Sequence, residues 1–126
     1  MNKTIINTPN APAPIGPYNQ AVKANGMLFI SGQIPIIPAT GELESGGIQA
    51  ETEQVMLNLQ AILTEAGTDF TAVVKTSIFI SDMNDFAKVN EVYGKYFDAN
   101  APARETVAVR TLPKNVNVEI SCIAAL

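Results

Sequence analysis

Two side chains near the end of the chain carry complementary chemistry. Arg104 offers a planar guanidinium fork that fits a carboxylate through two parallel hydrogen bonds. Glu119 offers a carboxylate able to orient a water molecule and take its proton. Together they suit hydrolysis at a carbon next to a substrate carboxylate. What the chain lacks narrows the field. With no histidine and a single cysteine, Cys122, it has no Ser-His-Asp or Cys-His machinery, no imidazole zinc site, no thiolate cluster and no CxxC redox pair. Neither GxGxxG nor GxxxxGK(S/T) occurs, so no nucleotide fingerprint is present. Cys122 alternates with Val118 and Ile120 and reads as a small buried hydrophobe.

The elements that must position this pair are legible from periodicity. Residues 18–24 and 27–31 flank Asn25-Gly26, a hairpin signal that pairs Gln20 with Ser31 and sets Tyr18 opposite Gln33. The proline-rich stretch Thr8 to Pro17 reads as an extended loop in preference to a PxxP ligand. The segment from Gln33 past Gly47 reads as a long irregular connection. From about Gln49 to Ala66, Val55, Leu59, Ile62, Leu63 and Ala66 recur on one helical face, with Glu51 and Glu53 in the first turn and Gly67 as terminator. Ala72 to Ile80 is β-branched and predicts a central strand. A second helix is expected from about Asn84 to Phe97, with Phe86, Val89, Val92, Tyr93 and Tyr96 available for packing and Asp82 or Asn84 as cap.

Two strands, about 103–110 and 116–124, close the order β-β-α-β-α-β-β. This is an α+β single domain over residues 1–126, a mixed sheet with two helices on one face. The other face needs a cover, and a neighbouring subunit is the expected one. Alternation places Arg104, Thr106 and Ala108 on one side of the first closing strand, and Val107 and Val109 on the other. In the second, Val118, Ile120 and Cys122 form the apolar set, opposite Asn117, Glu119 and Ser121. If the two strands form a hairpin through Leu112-Pro113-Lys114-Asn115 and match apolar faces, Arg104 and Glu119 share a face. Glu119 then lies opposite Ala108, about 13 Å along the strand from Arg104. On spacing alone, an ordinary ion pair on a sheet face is favoured over a catalytic pair.

Charge and hydropathy bound the partners. The net charge is −4 and the eight cationic residues are scattered, so no basic stripe exists to neutralise a run of phosphates, and nucleic acid is not an expected partner. The N-terminal MNKTIINTPNAPAP lacks an apolar signal region, and no apolar run approaches the ~18 residues of a membrane helix. A cytoplasmic, self-associating protein is expected.

Several segments resemble the RidA family, also called YjgF, whose members are enamine/imine deaminases. They are IGPYNQA (Ile15 to Ala21), SGQIP (Ser31 to Pro35), ETEQVMLNLQAILTEAG (Glu51 to Gly67), VVKTSIFISDMNDFAKVN (Val73 to Asn90) and PARETVAVRTLPKNVNVEI (Pro102 to Ile120). They cover nearly the whole chain in order. The resemblance implies a chorismate-mutase-like α+β domain assembling as a homotrimer with ligand clefts between subunits. It implies that Arg104 binds the substrate carboxylate and Glu119 positions the hydrolytic water. Tyr18, Ser31, Gly32 and Asn90 would line the same cleft, without cofactor or metal. The implied reaction is hydrolysis of 2-iminopropanoate or 2-iminobutanoate to the 2-keto acid and ammonia. Many members read Arg-Ser-Cys where this chain reads Arg104-Glu105-Thr106. Thr106 keeps a small polar group on the Arg104 face and joins the substrate-binding set. The altered pair also motivates an alternative, a non-catalytic protein of the same fold that binds small 2-keto or amino acids and regulates a partner. Ribonuclease labels on some relatives raise a nucleic-acid reading, which the charge distribution opposes.

Overall fold

Asn25 and Gly26 both adopt positive φ, 51° and 72°, the backbone that a two-residue hairpin turn requires. They join β2 (Ala21–Ala24) to β3 (Met27–Gln33), and the Ser31 amide donates to the Gln20 carbonyl at 2.9 Å, as expected. Tyr18 lies outside the ladder, in a turn where its amide donates to the Gly16 carbonyl. It therefore does not pair with Gln33, which stands opposite Ile120. The computed structural model describes residues 2–126. It adds one strand to the expected order, β1 (Lys3–Ile6), antiparallel to β2. This short edge strand is mostly exposed and lacks an alternating apolar pattern, so periodicity gave no signal for it.

Helix α1 (Ile48–Glu65) buries Val55, Leu59, Ile62 and Leu63, the face read from the sequence. Gly67 at φ 83° ends it, and the Thr68 amide reaches back to the Leu63 carbonyl. Helix α2 (Phe86–Tyr93) is shorter than expected because 3₁₀ turns tighten both its flanks, Met83–Asp85 and Gly94–Tyr96. Asp82 caps the first of these by accepting from the Asn84 amide at 2.9 Å.

The remaining strands are β4 (Val73–Ile80), β5 (Ala103–Ala108) and β6 (Val118–Ala125), in a six-stranded sheet of order β1-β2-β3-β6-β4-β5. The expected β5–β6 hairpin does not form. β6 lies between β3 and β4, antiparallel to both, while β5 runs parallel to β4 at the sheet edge, with α2 as its crossover helix. The connection from β5 to β6 has an apolar anchor of its own. Leu112 and Val116 are buried with Ile34 and Ile36, and Phe79 and Val109 pack against them. That anchor carries the chain across β4 in place of a tight turn.

The main core lies between the sheet and the two helices, where Leu28, Val55, Leu59, Ile62, Ile78, Ile80, Val118 and Ile120 are fully enclosed or nearly so. The opposite sheet face is open, with Ile5 at 42%, Phe29 at 46% and Val107 at 43% exposure. Among the described residues no helix is long and apolar enough to cross a membrane.

Candidate active site

Residues paired across strands share a sheet face, so the register decides where each candidate points. Arg104 pairs with Thr76, which pairs with Cys122; Thr76 and Cys122 are buried beneath the helices. Glu119 pairs with Phe79, which pairs with Val107, on the open face. Arg104 and Glu119 therefore occupy opposite faces of one chain's sheet, and Glu119 stands opposite Phe79, not Ala108. The expectation of a shared face assumed that Val107 and Val109 point into the same core as Val118 and Ile120. They do not. Val107 is exposed on the open face and Val109 joins the small second cluster.

On the open face, β3 is irregular between Ile30 and Gln33, where Ser31 and Gly32 stand against the single residue Ser121 of β6, one residue more than a regular ladder holds. The Glu119 side chain folds over this irregularity. A Cβ built on Gly32 would lie 2.8 Å from Glu119 Cδ, so only glycine leaves the carboxylate room. The Ser31 hydroxyl donates to the Asn19 carbonyl at 2.7 Å, and the Tyr18 hydroxyl accepts from the Ile15 amide at 3.2 Å. These bonds hold the loop before β2 as a wall. Tyr18, Ser31, Gly32 and Glu119, with Ile15, Ile34 and Pro113, enclose a cleft of about 360 Å³. Burial raises the Glu119 carboxyl above the usual carboxylate value.

On the helix face, Arg104 lies against α2. Its Nη1 donates to Asn90 Oδ1 at 2.6 Å. Its Cζ is 5.5 Å from the Phe86 ring centroid and 5.1 Å from that of Tyr93. Thr106, two residues further along the same face of β5, has a buried Oγ1 without a hydrogen-bond partner among the described residues. The seven expected site residues thus form two groups: Tyr18, Ser31, Gly32 and Glu119 on the open face, and Asn90, Arg104 and Thr106 on the other.

Sequence reasoning missed Ile15, Ile34 and Pro113 as cleft walls. It also assigned Phe86 and Tyr93 to packing, although 86, 90 and 93 follow the i, i+4, i+7 spacing of one helical stripe. Glu105 lies on the open face, where its carboxylate pairs with Lys75 Nζ at 2.9 Å and accepts from the Ser77 hydroxyl. Cys122 is buried and its thiol is pushed up to about 12 by burial. It is no nucleophile at neutral pH.

Two helices on one face of a six-stranded mixed sheet define a small α+β protein. The family model described as Endoribonuclease L-PSP matches residues 8–126, and the chain belongs to this family, RidA (YjgF). It is 54% identical over 122 residues to a RutC family protein of Pyrococcus horikoshii, covering 97% of each chain. It is 47% identical over 122 residues to the human 2-iminobutanoate/2-iminopropanoate deaminase, covering 97% of this chain and 89% of that protein. A crystal structure of a Rid family protein of unknown function from Yersinia pestis superposes with a TM-score of 0.96 at 48% identity, covering 99% and 100% of the two chains.

Proposed function

We propose that this protein hydrolyses small 2-imino acids to 2-keto acids and ammonia, in clefts completed between copies of the chain in a homotrimer. The observation that carries the reading is the division of the site. One sheet face presents a half-buried carboxylate in a cleft, and the other presents a held arginine beside an unpaired hydroxyl. Neither half hydrolyses an imino acid by itself. A second copy laid on the open face covers Ile5, Phe29 and Val107 and brings its own arginine half to the first copy's cleft. The human relative's name supplies the substrates, 2-iminobutanoate and 2-iminopropanoate.

The chemistry follows from the groups. Arg104 takes the substrate carboxylate in its free N–H edge, with Asn90 holding the other. Glu119 accepts a proton from water as the water oxygen bonds to C2, and the C=N electron pair moves to nitrogen, which takes a proton. Glu119, having returned the water proton to that nitrogen, relays the hydroxyl proton of the resulting carbinolamine to the amino group as the C–N bond breaks, giving the keto acid and ammonia. The Thr106 hydroxyl is a hydrogen-bond partner for the bound substrate. RNA cleavage, which the family description names, is disfavoured by a net charge of −4 without a basic track.

A coupled assay tests this. Purified protein added to an amino-acid dehydratase reaction should accelerate keto-acid release, and Arg104→Ala should abolish the gain. No acceleration, or equal acceleration by the variant, would sink the proposal. Arg104-dependent thermal stabilisation by 2-oxobutanoate without turnover would mark a binding protein instead.

A further inference from the structure

Arg104 is held by more than its hydrogen bond to Asn90. Phe86, Asn90 and Tyr93 stand at i, i+4 and i+7 on α2 and form one stripe. The guanidinium lies along it, with Cζ 5.5 Å and 5.1 Å from the two ring centroids, inside the range of cation–π attraction. Behind the stripe, the Tyr93 hydroxyl and Thr76 Oγ1 are 2.8 Å apart. Thr76 is the strand partner of Arg104 itself and is 1% exposed. The contacts therefore close a ring: Arg104 beside Thr76 in the sheet, Thr76 bonded to Tyr93, and the Tyr93 ring against Arg104. A long, flexible side chain at the end of an edge strand is thereby fixed from two elements at once.

We infer that Phe86 and Tyr93 are positioning residues for substrate binding, an aromatic bracket that holds the Arg104 guanidinium ready for a carboxylate. The inference rests on the deaminase reading given above. A preordered arginine binds the carboxylate without first losing rotamer freedom, so the bracket acts on affinity more than on the chemical step.

The test is a comparison of Phe86→Leu and Phe86→Trp with wild type in steady-state imine hydrolysis, alongside calorimetric titration with 2-oxobutanoate. Phe86 lies at the surface, so both variants should fold, and equal melting temperatures check this. Phe86→Leu should raise KM and weaken 2-oxobutanoate binding about five- to tenfold with kcat within about twofold. Phe86→Trp, which keeps an aromatic face, should restore both. Tyr93→Leu should reproduce the KM effect, and Tyr93→Phe should show less of it. Wild-type values in Phe86→Leu, or equal defects in Phe86→Leu and Phe86→Trp, overturn the bracket alone. A wild-type protein that neither hydrolyses imines nor binds 2-oxobutanoate overturns the deaminase reading, and the bracket falls with it.

Discussion

Glycine at position 32 is required by the reach of Glu119 across the β3 irregularity, since any Cβ there would meet the carboxylate. The obstacle is the far end of a flexible side chain, which can swing away. Gly32→Ala should therefore leave the melting temperature nearly unchanged while lowering kcat on the order of a hundredfold, the usual effect of a small displacement of a catalytic group. Unchanged kcat would show that the placement of Glu119 over Gly32 is irrelevant to turnover. Glu119 also sets the pH dependence. Its carboxyl is raised by burial, so kcat/KM should fall on acidification with a midpoint above the ordinary carboxylate range. Glu119→Gln should lower activity about 10²- to 10⁴-fold. For stability the sign is opposite to that of a salt-bridged acid. A raised folded-state value means that the wild-type carboxyl contributes most below its unfolded value, and that this contribution is lost as pH rises through the folded value. Unfolding titrations should show Glu119→Gln gaining on wild type as pH rises from acid to neutral.

At the scale of elements, two buried amides fasten the irregular segments that wall the cleft. Gln20 bonds the Thr8 amide and the carbonyls of Thr8, Ala11 and Pro12, pinning the proline-rich loop to β2. Asn58 on α1 donates to the carbonyls of Ile34 and Ile36 at 3.1 and 3.0 Å. Asn58→Ala removes the donor to the Ile36 carbonyl and leaves the Ile34 carbonyl with the Ile36 amide alone, and should destabilise the protein by about 1–3 kcal/mol in urea unfolding. A loss below about 0.5 kcal/mol would mean that water replaces the amide. Neither fastening was visible in the sequence, because periodicity reports which residues alternate and not what a buried polar side chain bonds. The same limit explains the misplaced pair. Alternation correctly put Glu119 opposite in face to Val118 and Ile120, and Arg104 opposite to Val107. It did not say which face of an edge strand meets the core. Val107 is apolar and exposed while Arg104 is the one under the helices, so matching apolar to apolar inverted β5. The hairpin at Asn25-Gly26, helix α1 and strand β4 were legible because each carries a local signal that tertiary context did not override. Arg104 and Glu119 stood out by their chemistry. The family resemblance gave them roles and added Tyr18, Ser31, Gly32 and Asn90, and Thr106 joined through its place on the Arg104 face. The division into two halves came only from the sheet register.

For the molecule as a whole, the proposed deaminase reading turns that division into a test of assembly. On the proposed homotrimer each cleft takes its glutamate half from one copy and its arginine half from a neighbour. An Arg104→Ala chain still carries a good glutamate half, and a Glu119→Ala chain a good arginine half. Each variant alone should be inactive. Co-expressed or unfolded and refolded together, they form mixed oligomers in which a cleft is complete when an Arg104→Ala chain supplies the glutamate and a Glu119→Ala chain the arginine. Random mixing at equal amounts gives that combination at one half times one half of the clefts, so about a quarter of wild-type activity should return. Mixing the folded variants without subunit exchange should return nothing at first, and activity should grow as copies exchange. A site contained in one chain predicts the opposite result, no recovery under any mixing regime, because every chain would then lack one of the two groups it needs.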